Sequence, residues 1–243
     1  MSDTKITALT SLAGSGVDIA ADVLPVVDDS VTQTKKILVS NLLGAAFTTA
    51  GDIFQASAAG VAARLGIGTA RQAPLVNAGA TALAYSNLIT LGTVDTTTGG
   101  TSILFGSIPA AVRELTISWN GLSSSGTSQW IVQIGDAGGL ELTVYEANAS
   151  NRGSEINSTI GFPLLGAAPV AASVYIGSLT LVLHDSATNT WMAKSGHNAP
   201  ISGAVSTLQG RKALSAVLTQ IAITTTNGSD TFDVNGGVNI AYT

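Results

Sequence analysis

The chain contains no cysteine. Disulfide scaffolds, thiol nucleophiles and thiolate metal sites are therefore excluded. Charge is also scarce: Asp, Glu, Lys and Arg make up 10% of the 243 residues, against roughly 25% in an ordinary soluble domain. The basic residues are scattered and never exceed two in a row, so a nucleic-acid partner held by a basic footprint is not expected. Aromatic residues reach only 5%, and the only histidines are His184 and His197. Long hydrophobic runs are missing too. Residues 156–184 carry no charge, but Gly161, Pro163, Gly166, Pro169 and Gly177 interrupt them and no Lys/Arg cluster flanks them. They read as a Pro/Gly loop followed by a buried strand, not as a membrane span, and no membrane insertion is expected. Residues 1–10 carry Asp3 and Lys5 and no apolar segment, so no signal peptide is expected.

Apolar residues are plentiful, at 45%, and the net charge is only −5 at pH 7. That composition argues against disorder for most of the chain. It also leaves little charge to face water. Either much of the surface is neutral hydroxyl and amide, or other chains cover it.

Charge density divides the chain into three. Residues 1–43 read as a small β-rich module. Val23, Leu24, Pro25 and Val26 lie in a short apolar strand whose proline suits a sheet edge. Asp29-Ser30 is turn chemistry, and Lys35 and Lys36 open the return strand. Ser40 is an N-cap candidate for a short helix through Phe47. A core this small needs a partner surface.

Residues 44–92 contain only three charges, Asp52, Arg64 and Arg71, among many small residues. Large apolar residues recur singly, at Ile53, Leu65, Ile67, Leu75, Val76 and Leu83, with no sustained period. One copy cannot build a core from this, whereas three copies around an axis can; the expectation is a trimeric neck. A flexible linker is the alternative, but Gly/Ser linkers lack such large residues.

Residues 93–243 are a succession of strand candidates: 102–105, 112–119, 129–134, 140–145, 174–183, 190–193, 216–225 and 238–242. Turn signals such as Asn120-Gly121 and Asn227-Gly228 separate them. The spacing predicts an antiparallel β-sandwich of jelly-roll type. The fold class is thus mainly β: an N-terminal β module with a short helix, a trimeric neck, and a C-terminal sandwich.

Three stretches carry a resemblance. KITALTSLAGSGVDIAADVLPVVDDSVTQTKKILVSNLL resembles the opening of bacteriophage virion proteins, and GDIFQASAAGVAARLGIGTARQAPLVNAGATALAY resembles the repeat of their fibres. LTISWNGLSSSGTSQWIVQIGDAGGLELTVYEA, with LTQIAITTTNGSDTFDVNGGVNIAY, is similar to a distal domain of phage fibres. The repeat segment departs from its usual pattern at Ala73-Pro74 and Ala84-Tyr85, and it occurs once, as in a short fibre. The resemblance implies a homotrimeric virion protein. Its N-terminus, including Val23, Leu24, Pro25, Val26, Lys35 and Lys36, would attach to another virion protein, and its C-terminus would point outward. A tail fibre that binds a host surface polysaccharide is the first reading. A head fibre or capsid decoration protein is the alternative.

Catalytic signals are weak. His184-Asp185 and Ser195/His197 lack a G-x-S-x-G elbow, so no enzyme is expected. Gly66-x-Gly68 has no following Lys-Ser/Thr, and no cofactor motif is present. Asp230 and Asp233, beside Asn227 and Asn235, offer oxygens to Ca²⁺ but lack a regular loop spacing and read as a solvated turn. Trp119, Trp130 and Trp191 lie in or beside strands and read first as core. The richest segment is 145–155. It offers Tyr145, Asn148, Asn151, Arg152 and Glu155, an aromatic plate with amides, a cation and a carboxylate, as a loop able to bind a sugar.

Overall fold

The computed structural model describes residues 23–28, 33–38, 47–58, 61–77, 79–198 and 205–243. The protein is mainly β, built of several antiparallel sheets, with no helix among the described residues. The helix expected from Ser40 lies, but for Phe47, outside the described residues. So does the turn expected at Asp29-Ser30. The chain divides into two compact units, Met1–Leu88 and Ile89–Thr243.

Among the described residues the first unit contains three β-hairpins. Strands β1 (Val23–Asp28) and β2 (Gln33–Leu38) pair with Val23 opposite Leu38 and Pro25 opposite Lys36. Strands β3 (Ile53–Ala58) and β4 (Val61–Leu65) form the second hairpin. Strands β5 (Gln72–Val76) and β6 (Leu83–Asn87) form the third. The segment 44–92 therefore has local structure that its lack of hydrophobic period hides.

Side-chain polar groups hold the second and third hairpins. Asp52 Oδ2 accepts the amides of Thr48 and Thr49, each at 2.9 Å, and Oδ1 accepts the amide of Ile67 at 3.0 Å. Arg64 closes the node with an ion pair at 3.1 Å and a bond to the Thr48 hydroxyl. Two of the three charges of this stretch are thus one internal joint. Asn77 shapes the β5–β6 loop: its Oδ1 accepts the Thr81 amide at 2.9 Å while its own amide donates to the Ala82 carbonyl. Gln55 Oε1 accepts the Leu83 amide and ties the two hairpins together. A methyl on Gly68 would lie 2.6 Å from the Tyr85 ring, so that ring rests on bare backbone.

Burial alone would raise the Asp52 carboxyl, but the amides of Thr49, Thr48 and Ile67 and the Arg64 guanidinium outweigh it and hold its pKa at about 2. A depressed carboxylate stabilises above its ordinary value of 3.8 and loses that contribution as pH falls toward 2. Pepsin digestion is expected to cut within residues 47–88 progressively faster across that window. Asp52→Asn should cut fast throughout it, and equal rates for the two proteins would refute the joint.

The second unit has two larger sheets. One has eight strands in the order β13-β12-β17-β16-β15-β9-β19-β7. These are β7 (Thr90–Leu91), β9 (Glu114–Ser124), β12 (Glu146–Asn151), β13 (Ser154–Ser158), β15 (Tyr175–Asp185), β16 (Thr190–Asn198), β17 (Val205–Ala213) and β19 (Phe232–Tyr242). The other has five: β11 (Gly139–Leu140), β10 (Trp130–Asp136), β18 (Gln220–Thr225) and β8 (Ser102–Phe105) in order, with β14 (Phe162–Pro163) also on β10. Side chains from both sheets form one hydrophobic core. Leu115, Ile117, Leu179, Leu181, Trp191 and Val238 come from the eight-stranded sheet, and Ile103, Trp130, Val132, Ile134, Phe162, Ile221 and Ile223 from the other. Strands β9 and β17 alternate buried and exposed residues, as strands with one covered face do. Strand β10 is buried along its whole length, which explains its unbroken apolar run at Trp130–Val132.

No helix among the described residues is long and apolar enough to cross a membrane. The uncharged stretch 156–184 instead supplies β14 and most of β15.

Candidate functional site

The richest polar segment is not a loop. Residues 146–158 form the hairpin β12–β13, with Asn151 opposite Ser154. Only Arg152 and Gly153 make the turn, both with positive φ, +44° and +90°. That is the primed two-residue turn whose twist matches the flanking strands.

This separates the expected site residues, because a strand sends alternate side chains to opposite faces. Asn148 and Glu155 share the outer face of the eight-stranded sheet, where Asn148 lies opposite Asn157, and Glu155 opposite Ser150. Asn151 belongs to the opposite set, and its Oδ1 is buried. Arg152 occupies the turn. Tyr145, just before β12, is 1% exposed. Its hydroxyl accepts the Ile134 amide at 2.9 Å and donates to the Glu141 carbonyl at 2.8 Å. Burial pushes this phenol well above its ordinary value, and the Glu141 charge adds to that. Tyr145 joins the sheets and offers no plate to a ligand.

The tryptophans are likewise interior: Trp119, Trp130 and Trp191 are 4%, 0% and 2% exposed. His184 is exposed in β15, and its neighbour Asp185 accepts the Ala187 amide and the Thr188 hydroxyl. Asp230 bonds the Ser128 amide at 3.0 Å and the Asn227 side chain at 2.8 Å, fastening two loops, while Asp233 sits opposite Ser123. No cluster of three or more His, Asp or Glu suited to a metal occurs among the described residues.

The register builds a different site. Asn157, Asn148, Gln209, Lys194, Thr180 and Thr116 are directly opposite one another across six strands, β13, β12, β17, β16, β15 and β9. Directly paired residues share a face, so these form one polar row on the outer side. Asn148 Nδ2 donates to Asn157 Oδ1 at 3.0 Å, and the hydroxyls of Thr116 and Thr180 are 3.1 Å apart. The adjacent row contains Glu146, Arg211 and Met192. Arg211 grips Glu146 with two bonds, Nε to Oε2 at 2.9 Å and Nη2 to Oε1 at 2.8 Å. This pair lowers the Glu146 carboxyl below its usual range and raises the guanidinium.

An open groove of about 510 Å³ lies over one end of these rows, at β13, β12 and β17 with Met192 of β16, and does not reach Lys194, Thr180 or Thr116. Asn148, Asn157, Thr159, Gln209, Glu146, Arg211 and Met192 line it, and Ala147 and Gly210 border it. Its chemistry is neutral hydrogen bonding: three amides, the hydroxyls of Ser158 and Thr159, a self-compensated ion pair and one thioether. Of the sequence candidates, Asn148 enters it and the buried Tyr145 borders it. Gln209 and Arg211 were hidden because the 205–213 stretch does not read as a strand.

Family models, curated proteins and solved structures were all compared with this chain, and none matches.

Proposed function

We propose that the protein is a short homotrimeric fibre of a bacteriophage particle. In this reading the β1–β2 segment, with Val23, Leu24, Pro25, Val26, Lys35 and Lys36, attaches it to another virion protein. The segment 44–92 is the trimeric neck. The second unit, a sandwich of jelly-roll type, binds a host surface glycan through the outer groove.

One observation carries the trimer. Among the described residues the buried apolar ones all lie at Ile103 or later, while Phe54, Ile67, Leu75 and Val76 of the segment 44–92 are 44–64% exposed. Two-stranded hairpins are marginal on their own. Copies of the same segment are the partner the resemblance supplies. Weak single-site binding would then gain from three linked sites.

Native mass spectrometry at micromolar concentration is expected to give an assembly of three 24.3 kDa chains. Deletion of residues 44–92 should abolish it. A monomer from the full chain would sink the neck. Gold-labelled antibody against residues 93–243 on intact particles should mark the tail end. Label spread over the head would favour the decoration role and remove the adhesive one.

A further inference from the structure

We infer that the outer groove is a site for neutral saccharides and that Glu146 enforces this by occupying Arg211. The inference rests on the glycan-binding reading above and names the class of sugar. Asn148, Asn157 and Gln209 present amides from three adjacent strands, β12, β13 and β17. An amide both donates and accepts, as vicinal sugar hydroxyls do, so a row of amides matches a hydroxylated ring without any net charge. Met192 adds a flexible apolar contact on the Arg211 side.

Charge decides the class. A carboxylated or sulfated sugar needs a cation whose donors are free for it. The cation that lines the groove, Arg211, already spends Nε and Nη2 on Glu146, and Lys194, opposite Gln209 in β16, lies outside the lining. An acidic sugar would have to displace that carboxylate or lie beside it, and like charges side by side are repelled. The pair is on the surface, with side chains 58% and 66% exposed, so it can be altered without emptying a core.

The test uses the full chain and immobilised polysaccharides, read by biolayer interferometry. The neutral set is glucan, galactan, mannan and N-acetylglucosamine oligomers; the anionic set is polygalacturonate and hyaluronate. Wild type is expected to bind at least one neutral member and neither anionic one. Asn148→Ala and Gln209→Ala should each weaken the neutral binding about tenfold, the loss of a paired polar contact. Glu146→Gln should gain polygalacturonate binding, because it frees the Arg211 fork, and Glu146→Gln with Arg211→Gln should lose it again. Unchanged thermal melting of each variant shows that folding is intact. Wild-type preference for an anionic polymer, or neutral binding that ignores Asn148→Ala and Gln209→Ala, overturns the inference and leaves the adhesive role standing. Failure of every polysaccharide to bind overturns both.

Discussion

Trp130→Ala is expected to destabilise the second unit by about 3–5 kcal/mol, the range for deleting a buried aromatic. For a unit of this size that lowers Tm by roughly 10 °C. The effect is large because Trp130 touches several elements at once. It is 0% exposed in β10 of the five-stranded sheet. Its ring meets Tyr175 of β15 edge-on at 4.9 Å and Phe232 of β19 at 5.8 Å, both from the eight-stranded sheet. Such edge contacts add to simple burial. Its indole N–H donates to Ser124 Oγ at 2.9 Å, and that hydroxyl donates to the Gly126 carbonyl. Alanine leaves a cavity, and Ser124 loses its donor. Trp130→Phe keeps most of the packing and should cost far less. Urea unfolding followed by far-UV circular dichroism gives both numbers. A loss below about 1 kcal/mol for the alanine variant would mean that the two sheets do not share this core.

The strands that read clearly in the sequence are those whose inner positions are large and apolar. Ser102–Phe105 is expected at its observed bounds, and β9, β10, β15, β16, β18 and β19 are expected with shifted ends, whereas of the expected strand 140–145 only Leu140 is in a strand. Two of the missed strands, β12 and β17, share one cause. In β17 the inward positions are Ser206, Leu208, Gly210 and Lys212, so the alternation has almost no hydrophobic contrast. In β12 they are Ala147, Ala149 and Asn151. They must be small, since a Cβ on Gly210 would lie 2.7 Å from Ala147 Cβ, and one on Gly166 would lie 2.3 Å from the Asn151 amide. Where backbones approach this closely, no large side chain is left to announce a strand. That is why a hairpin read as a loop, and why a site proposed from adjacency in sequence dispersed over two faces. Hydroxyls and amides, one of the two surfaces the composition allows, do form a row here, but only pairing register brings them together. The Asp52–Arg64 joint was equally silent, because its spacing has meaning only once β3 and β4 pair.

The second large effect is expected at the buried pair Lys212–Glu141. Lys212 faces inward from β17 and is 3% exposed, while Glu141, following β11 of the other sheet, is 23% exposed at its side chain. Their charged atoms are 2.5 Å apart. The ammonium also donates to the Thr143 carbonyl at 2.9 Å and lies 5.2 Å from the centre of the Tyr145 ring. The carboxylate accepts the Ser215 amide at 2.6 Å, and the Ser215 hydroxyl donates to Asp136. Removing one member therefore leaves the other poorly compensated, and the two removals are unequal. Glu141→Gln strands a cation with almost no access to water and should cost about 3–5 kcal/mol. Lys212→Met strands a carboxylate that can turn toward solvent and keeps the Ser215 amide, so about 2 kcal/mol is expected. The double variant replaces the pair by uncharged groups and should fall within about 1 kcal/mol of the wild type. Acid gives an independent reading. Burial alone would raise the Glu141 carboxyl, but Lys212 and Ser215 outweigh it and hold it below its ordinary value of 4.5. Its contribution is complete above that value and is lost as pH falls through the depressed one. The wild type should therefore lose more stability on acidification than the double variant does. A double-mutant cycle with no coupling, or a double variant as unstable as Glu141→Gln alone, would show that the pair does not tie β17 to the segment that follows β11.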